Sequence, residues 1–526
     1  MNRCQFSFWI LTVSITLFGP LYSAQYTFDP PFQISQSGQS ASNAELCVTD
    51  TGNAVAVWTR SDGANNRIQG AQFSIATDSW TIPVTLSSVG ITASTPAICC
   101  DSSGNAVTVW VETGPGNIRS ARYNAATGTW SAPINIALGA IAPADPQVSC
   151  DPNGNALAVW HIFSGGFTVI QASRFNVGTM TWSAPTTLSA PGVTANDAEI
   201  SVDDTGDAVA IWQRGGVIQS SSFDVGTLTW TAAVDISSGG STTTAPQVGV
   251  SAAGDAIAIW ERSAPSVDIR AARYNKGAGT WSAPVSIVAS AAVNQDPILA
   301  VNDSLQALAV WEGFDGVTVT IRAASFNPTT NTWSAVQDVD PGVTTIDTDV
   351  AIDNSGNGVA VFERFAPPQE GFASCFDLVT NSWSTPVMIS SPGENINNPQ
   401  VQAASSGIVA IALFTGVDGI FNVIEASTGL GSGLLLPPAG ASGKRIKNRF
   451  PFQKEYFNEL SWTPSTSSIA AGYQIFRNGT LIANLSGGQH RGYRDHNRPK
   501  KGTDVYTVFT LDVAGGKSSP ITIVVN

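Results

Sequence analysis

The stretch Asp203-Asp-Thr-Gly-Asp-Ala-Val-Ala-Ile-Trp212 decides the fold, because close variants of it recur through most of the chain. The general form of the motif is D-x-x-G-N/D-A-x-A-x-W, with departures at one or more positions in several copies, and successive copies lie 48 to 52 residues apart. Self-similarity at such a period indicates a repeat architecture. The last residue of the motif is Trp58, Trp110, Trp160, Trp212, Trp260 and Trp311, with Phe362 in the seventh place.

Each repeat unit is predicted to contain four short strands, because apolar and small or polar residues alternate with period two between Gly, Asn and Asp turns. A second tryptophan series marks the fourth strand: Trp80, Trp130, Trp182, Trp230, Trp281, Trp333 and Trp383. Representative strands are Glu199–Asp203, Ala208–Trp212, Ile269–Tyr274 and Trp281–Ile287. We expect both tryptophan series to pack one sheet on the next rather than to stack on a ligand.

The turn that starts the motif has its own chemistry. In the turn that begins at Asp203, the carboxylate can accept amide hydrogen bonds and Gly206 can take a positive φ, which predicts a tight hairpin. Asp101, Asp151 and Asp353 begin equivalent turns. A calcium loop is the alternative, but each turn lacks the spaced set of oxygen ligands that calcium needs.

Four antiparallel strands in about 50 residues resemble a blade of a β-propeller. The segment Phe326-Asn-Pro-Thr-Thr-Asn-Thr-Trp333 is similar to the kelch motif, although Trp stands where kelch blades carry a Gly-Gly pair. The turn with its D-x-x-G-N form is similar to those of other bacterial propeller repeats. The resemblance covers about 400 residues and implies an all-β propeller over residues 25–428.

The two ends of the repeat region complement each other. Phe28–Ser35 aligns with Trp80–Ser87 as a fourth strand, and Pro399–Ser427 supplies the first three strands of a unit. We therefore predict eight blades, with the ring closed by the N-terminal strand, which leaves no exposed edge. Seven blades is the alternative if the degenerate segment Gly407–Leu413 does not pair.

Residues 1–24 are predicted to be a secretory signal peptide, because Arg3 precedes a short apolar run, Phe8–Gly19, and small residues follow it. An uncleaved anchor is the alternative. No later apolar run is long enough to span a membrane, so a secreted, periplasmic or cell-surface location is expected. Five cysteines remain after the segment, namely Cys47, Cys99, Cys100, Cys150 and Cys375, and we expect them to be buried thiols, although export permits disulfides.

A second domain follows a Gly/Pro-rich linker at residues 429–443. Residues 444–526 alternate like strands, and Asn478-Gly479 is a strong hairpin signal. Trp462 on an early strand, the Tyr473–Ile475 strand and the late Tyr506–Val508 strand resemble a fibronectin type III domain. The resemblance implies a β-sandwich that serves as a spacer or an adhesive module.

The formal net charge of -14 hides two oppositely charged parts. Residues 431–526 hold 12 basic and 5 acidic side chains, whereas residues 25–430 hold 12 basic and 34 acidic ones. The acidic part lacks the electrostatic footprint for nucleic acid. The C-terminal basic residues predict a patch for an anionic surface, with docking on the acidic part or simple solubility as alternatives. These residues are Lys444, Arg445, Lys447, Arg449, Arg491, Arg494, Arg498, Lys500 and Lys501.

No catalytic motif is evident in the sequence, which has three histidines, no G-x-S-x-G and no phosphate-binding glycine loop. We predict no catalytic residue, cofactor or metal, and expect an exported non-enzymatic binding or scaffold protein whose ligand is a protein or glycan. The connections between strands two and three vary most among units, which favours recognition there: Ser61–Arg67, Thr113–Asn117, Ile162–Val169, Ser263–Asp268 and Phe365–Glu370. The candidate binding residues at their roots are Arg60, Glu112, His161, Arg214, Glu261, Arg262, Glu312, Glu363 and Arg364.

An enzyme is the alternative. Arginines and acids on one face resemble sialidase-like propellers, and paired carboxylates could hydrolyse glycosides. The Arg-Ile-Pro hallmark of that family is missing, and the turns differ from its Asp-box. Because of these two differences, a secreted carbohydrate-active enzyme is the second of the two functional hypotheses.

Overall fold

The protein is all-β. A computed structural model describes residues 26–114, 116–237, 242–263, 267–288, 293–314, 316–431, 437–449, 454–465, 470–511, 517–518 and 520–526. The predicted signal peptide lies outside the described residues. The described part of the chain contains no helix that could cross a membrane.

Seven repeat units each form one antiparallel sheet, numbered 1 to 7 in chain order. Three long strands lie side by side, and two short segments both pair with the third strand. Sheet 1 contains Ala41–Val48, Ala54–Ser61, Asn66–Ser74, Ser79–Trp80 and Val84–Thr85; sheet 2 contains Ala93–Cys100, Ala106–Glu112, Asn117–Asn124, Thr129–Trp130 and Ile134–Ala137; sheet 3 contains Ala144–Cys150, Ala156–Ser164, Phe167–Asn176, Thr181–Trp182 and Thr186–Thr187; sheet 4 contains Ala195–Val202, Ala208–Arg214, Val217–Asp224, Thr229–Trp230 and Val234–Asp235. Sheet 5 contains Thr243–Val250, Ala256–Arg262, Asp268–Asn275, Thr280–Trp281 and Val285–Ser286; sheet 6 contains Val293–Val301, Ala307–Phe314, Val319–Asn327, Thr332–Trp333 and Gln337–Asp338; sheet 7 contains Thr345–Ile352, Gly358–Arg364, Glu370–Asp377, Ser382–Trp383 and Val387–Met388.

The fourth strand of each unit is interrupted, whereas the sequence predicts one continuous strand. In sheet 5, Thr280–Trp281 and Val285–Ser286 are separate segments, and Pro284 lies between them. Proline cannot donate a ladder hydrogen bond, which fits the lapse in this sheet. Sheets 4 and 6 show the same interruption without proline, at Thr231–Ala233 and Ser334–Val336.

Sheet 8 is built from both ends of the repeat region. Asn397–Ala403, Val409–Asp418 and Phe421–Gly431 form its long strands. Two N-terminal segments pair with the last of these: Tyr26–Phe28 lies opposite Gly429–Gly431, and Phe32–Gln33 lies opposite Glu425–Ala426. The composition of residues 429–443 predicts a linker, but strands occupy both of its ends. Phe421–Gly431 extends into its start, and the next strand begins at Ala439.

The core lies between neighbouring sheets. The tryptophans that close the repeat motif are fully buried, and Phe362 takes their place in sheet 7. Each second tryptophan packs against the aromatic residue near the end of strand three, as in Tyr123–Trp130, whose ring centroids are 5.4 Å apart. Hydrophobic clusters join every consecutive pair of sheets, and one joins sheet 8 to sheet 1. The tryptophan repeat therefore acts in packing.

The expectation of buried thiols is wrong for four of the five cysteines. Disulfides join Cys47 to Cys100 and Cys99 to Cys150. These residues lie in the last two positions of the first strands of sheets 1, 2 and 3, so the bonds link three consecutive sheets. Adjacent first strands bring the cysteine pairs within bonding reach, a proximity that a sequence separation of 51 to 53 residues does not reveal. Cys375 is a buried free thiol.

The C-terminal residues form two further sheets around one core. One holds Ala439–Arg449, Lys454–Thr463 and Gly492–Asp495, and the other holds Gly472–Arg477, Thr480–Ser486, Asp504–Leu511 and Ile521–Val525. Trp462 and Tyr473 pack together in the core, with ring centroids 5.5 Å apart.

Candidate functional site

The predicted binding residues fall into two sets, because successive side chains on a strand point to opposite faces of the sheet. The first set comes immediately after the motif tryptophan or phenylalanine, and the second comes one residue later. The first set is His161, Glu261, Glu312 and Glu363. The second set is Arg60, Glu112, Arg214, Arg262 and Arg364.

Two arginines of the second set hold the backbone of the connection that enters their own sheet. Arg60 donates from Nε to the carbonyl oxygen of Gln36 at 3.1 Å and from Nη2 to that of Ser37 at 3.0 Å. Arg214 donates in the same way to the carbonyl oxygens of Ala190 and Pro191, at 3.3 and 3.4 Å. These guanidinium groups therefore hold the connections that enter sheets 1 and 4 in place by hydrogen bonds.

The other members of the second set form ion pairs, two within their own sheet and its connections and one, Arg364, with the connection that enters its sheet. Arg262 donates two hydrogen bonds to Asp268, at 2.7 and 2.9 Å. Arg364 contacts Asp340 at 2.7 Å and lies over the ring of Phe372, with its guanidinium carbon 3.8 Å from the centroid. The buried Glu112 pairs with Arg119 at 3.3 Å. The structure thus gives all five residues internal partners and does not bring them together as one ligand site.

The side chains of the first set lie near the first strand of a sheet, at a backbone irregularity that recurs from sheet to sheet. The amide of Asp347 in sheet 7 donates to the carboxylate of Glu312 in sheet 6 at 2.9 Å. Glu261 similarly accepts a hydrogen bond from the amide of Asp296. His161 Nδ1 lies 3.7 Å from the carboxylate of Asp145, which belongs to the same sheet. These side chains therefore surround one end of the first strands.

The irregularity is a β-bulge that carries a left-handed residue in every first strand. In each sheet the register of strands one and two shifts at this residue, and its φ lies between 45° and 52°. Asn and Asp tolerate this conformation better than most residues. We call these eight positions the bulge residues: Asn43, Thr95, Asp145, Asp197, Ala245, Asp296, Asp347 and Asn398. Sequence reasoning missed them.

The first strands line a central cavity of about 660 Å³. Its described lining includes no lysine, arginine or histidine. Three bulge residues, Asp296, Asp347 and Asn398 from sheets 6, 7 and 8, lie in its wall together with carboxylates from sheets 1, 4, 6 and 7. The acidic lining residues are Glu45, Glu199, Asp296, Glu312, Asp347 and Asp349.

Hydrogen bonds between sheets hold two of these carboxylates. Gln400 of sheet 8 donates to Glu45 of sheet 1 at 2.9 Å. Gln147 of sheet 3 donates to Glu199 of sheet 4 at 3.3 Å. The donors are neutral amides, so the negative charge of the lining is not compensated by them.

Burial raises the pKa of the deepest carboxyl groups. The pKa of Glu45 rises to about 7, through burial and the charge of Asp349, against the opposing hydrogen bond from Gln400. The pKa of Glu199 rises to about 8 through burial and the charges of Glu45 and Asp197. The pKa of Asp349 rises to about 6 through burial, although the amides of Val401 and Val350 oppose the shift. The cavity is therefore a place where negative charge is costly.

Glu363 is the most confined member of the first set. Its side chain is 0% exposed, and its polar neighbours are the backbone amide of Asn398 and the side chain of Asp347. Burial and the nearby charges of Asp347 and Glu312 raise its pKa to about 8. Asp347 and Glu312 both line the cavity, so Glu363 lies directly behind the cavity wall. Among the described residues, no cluster of three histidine, cysteine or acidic side chains could hold a metal.

The variable connections between strands two and three expose aromatic side chains. Phe163 and Phe167 flank the hairpin of sheet 3, with 45% and 37% of their surface exposed. Phe314 ends strand two of sheet 6, and Phe365 directly follows strand two of sheet 7. Exposed aromatic groups of this kind are common in interaction surfaces.

The C-terminal basic residues are partly paired. Glu459 pairs with both Lys444 and Arg494, at 3.1 and 2.8 Å. Asp504 likewise pairs with Arg445 and Arg498, at 2.9 and 3.0 Å. Two acidic residues thus bring the two sequence clusters together. Lys447, Arg491, Lys500 and Lys501 are exposed, and Arg449 lies at the end of its strand.

No protein-family model matches the sequence, and no curated protein matches it. Solved structures do resemble the fold. The Dos1 propeller is 11% identical, with a TM-score of 0.47, and the match covers 77% of this chain and 95% of that one. A fungal alcohol oxidase of the AA5 family, in complex with copper, is 13% identical, with a TM-score of 0.44 and coverage of 95% and 99%. A protein of unknown function from Dyadobacter fermentans is 10% identical, with a TM-score of 0.43 and coverage of 77% and 99%. The chain is thus an all-β protein of repeated antiparallel sheets with propeller-like structural neighbours.

Proposed function

We propose that this is an exported, non-enzymatic binding or scaffold protein that recognises a protein or glycan through the face formed by the strand-two to strand-three connections. The observation that carries the proposal is the placement of Phe163, Phe167, Phe314 and Phe365 on these connections, each more than a third exposed. Aromatic side chains supply contact area at low entropic cost and stack on both sugar rings and peptide groups. A rigid scaffold that displays variable aromatic loops is suited to recognition.

We infer that the eight sheets form a closed eight-bladed propeller. Support comes from the contact of the first strands of sheets 8 and 1, and from the pairing of Tyr26–Phe28 with Gly429–Gly431. For the C-terminal residues we infer a fibronectin type III domain, because three strands face four around one core and Tyr506 Oη donates to Asp495 at 2.6 Å. Two disulfides fit the oxidising compartment that a cleaved signal peptide would reach.

The test is a binding screen of residues 25–526 against glycan and extracellular-protein arrays. The double variant Phe163→Ser/Phe167→Ser should lose most of its binding to any ligand that the unmodified chain binds in this screen. Val379→Ser is the matched control, because Val379 is 79% exposed on a strand-three to strand-four turn, at the other end of the strands. Absence of any ligand, or equal loss in the control, would contradict the proposal.

A secreted carbohydrate-active enzyme is the second candidate, and the raised pKa values of the cavity carboxyl groups favour it, because a general acid must stay protonated near neutral pH. The internal pairing of the arginines speaks against sialidase-like chemistry. Hydrolysis of a panel of aryl glycosides that is abolished in Glu312→Gln would support the enzyme. An equal rate in that variant would reject it.

A further inference from the structure

Six basic side chains gather at one end of the two C-terminal sheets. Arg445 Nη1 donates to the carbonyl oxygen of Gly502 at 2.6 Å, and the amide of Arg498 donates to that of Tyr456 at 2.7 Å. These bonds bring the last residues of the strand Ala439–Arg449 together with the connection 496–503. We call this group of side chains the basic end: Arg445, Lys447, Arg477, Arg498, Lys500 and Lys501.

Acidic partners neutralise only part of the charge of the basic end. Two buried carboxylates, those of Asp495 and Asp504, hold its three arginines in place. The other three basic side chains are exposed and have no ion-pair partner among the described residues: Lys447, Lys500 and Lys501. The basic end therefore presents free ammonium groups beside a set of satisfied ion pairs.

Exposed apolar surface adjoins the basic end. Val505 follows Asp504 in the chain and lies opposite Val524 on the neighbouring strand. Both valines are more than a third exposed. Apolar surface that is rimmed by charged groups is common in contacts between proteins. This surface favours a protein partner over a polysaccharide.

The complementary charge is on the same chain. Residues 25–430 hold 34 acidic and 12 basic side chains. Four of these basic side chains are already engaged in internal contacts, namely Arg60, Arg214, Arg262 and Arg364. The acidic charge of the repeat region is thus largely uncompensated, and it attracts a basic surface.

The position of the basic end favours a second copy over the repeat region of the same chain. The chain enters the C-terminal sheets at Ala439, the first residue of a strand of 11 residues. Such a strand spans about 35 Å. The basic end lies at its other end, and so at the side that is farthest from the point of entry.

We propose that the basic end docks on the acidic repeat region of a second copy of this chain, so that copies associate head to tail. The two surfaces of such a contact differ, so the contact does not close on itself and can extend a dimer into longer chains. This proposal goes beyond the binding of a ligand at the variable connections, and its test needs no such ligand.

The experiment is analytical ultracentrifugation of residues 25–526 over a concentration series, in about 20 mM and in about 500 mM salt. Charges act over about 20 Å in the lower salt and over about 4 Å in the higher. We expect concentration-dependent association in low salt and monomers in high salt.

Reversing two charges of the basic end should disrupt this association. Lys500→Glu/Lys501→Glu turns attraction into repulsion and should weaken the association in low salt by about tenfold or more. Arg491→Glu/Lys517→Glu is the matched control, because it changes the net charge equally at the other end of the sheets. The control should associate like the unmodified chain.

Carbodiimide cross-linking of mixed ¹⁵N-labelled and unlabelled copies gives a second measurement that needs no variant. The reagent joins a lysine amine directly to a carboxylate. We expect Lys500 or Lys501 of one copy to be joined to acidic residues within residues 25–430 of the other. Cross-links within single copies alone, association that persists in high salt, or equal association of Lys500→Glu/Lys501→Glu would overturn the proposal. A chain that stays monomeric in low salt would also overturn it, and binding of that monomer to dextran sulfate would point to an acidic polysaccharide instead.

Discussion

At the scale of the residue, a shift of one position decides what a charged side chain does. Arg214 and Gln213 are neighbours after the same tryptophan, yet only Arg214 reaches the connection that enters its sheet. The sequence marks the charges that follow the tryptophans, but it does not show which of them meet carbonyl groups inside the protein. Internal partners are a property of the packed connections, so the sequence could not show that these arginines hold carbonyl groups inside the protein.

Replacement of Arg214 by alanine should therefore loosen a connection. Two hydrogen bonds to the carbonyl groups of Ala190 and Pro191 would be lost, at a cost of about 1–2 kcal/mol. Hydrogen exchange of residues 190–195 should accelerate, while Lys501→Ala, an exposed change in the C-terminal domain, should leave it unaltered. Unchanged exchange in Arg214→Ala would show that the connection is held by other contacts.

Glu363 should make stability depend on pH. Its pKa is raised to about 8 from an ordinary value of 4.5, so the folded state holds a proton that the unfolded state releases between these two pH values. Stability from this group is therefore full below pH 4.5 and falls as the pH rises towards 8. Glu363→Gln should be more stable than the unmodified chain at pH 9, by about 1 kcal/mol or more, and equally stable at pH 4.

Chemical denaturation at the two pH values is the measurement for Glu363→Gln. Glu370→Gln offers a control, because Glu370 lies on the same sheet and is only partly buried. The same gain at pH 4 and pH 9 would contradict the assigned cause.

At the scale of the element, periodicity located the strands but not their irregularities. The strands Ala208–Arg214 and Asp268–Asn275 contain the predicted segments Ala208–Trp212 and Ile269–Tyr274. The bulge residues were missed because one left-handed residue per strand leaves no periodic trace. A signal was present in the recurring pairs Asp145-Pro146, Asp296-Pro297 and Asn398-Pro399, where a left-handed former precedes proline. The cavity carboxylates depend on these bulges, so the candidate site could not be placed from the pattern alone.

The hydrogen bonds within the hairpin turns favour a capping role for their first aspartate over metal binding. Both oxygens of Asp151 are engaged within its turn, because the amides of Asn153 and Asn155 donate to Oδ1 at 2.9 Å and Asn155 Nδ2 donates to Oδ2 at 2.7 Å. Asp151→Ala should cost about 1–3 kcal/mol, because the buried amides lose their acceptor. EDTA should leave the melting temperature of the unmodified chain unchanged, and a drop of several degrees would instead indicate a calcium loop.

At the scale of the whole molecule, the two ends of the repeat region meet in one sheet. The complementarity of Phe28–Ser35 and Pro399–Ser427 predicted this pairing, since each fragment lacks what the other supplies. What the sequence could not predict is the pairing of cysteines, because inter-sheet distance depends on how the first strands converge.

Removal of residues 25–35 should destabilise the propeller region strongly. Sheet 8 would lose its outer segments, and Tyr26 would no longer cover Ile396 and Val401 in the core. We expect a melting temperature lower by about 5 °C or more, as one strand of apolar contacts is lost. Deletion of residues 444–526 is the control. If the chain without residues 25–35 has the same melting temperature as the complete chain, closure by the N-terminal strand is refuted.

The pairing of Tyr26 with Gly431 also fixes how the molecule responds to tension. If the chain were pulled from before Tyr26 and after Gly431, both tethers would leave the sheet at the same end of one antiparallel pair. The load would then fall on single hydrogen bonds in turn, and the strands would peel apart at low force rather than slide against one another. Sheets 1 to 3, which two covalent bonds connect, would resist such a pull longest. A protein held at its N-terminus and pulled through its C-terminal residues would therefore open first where Tyr26–Phe28 pairs with Gly429–Gly431.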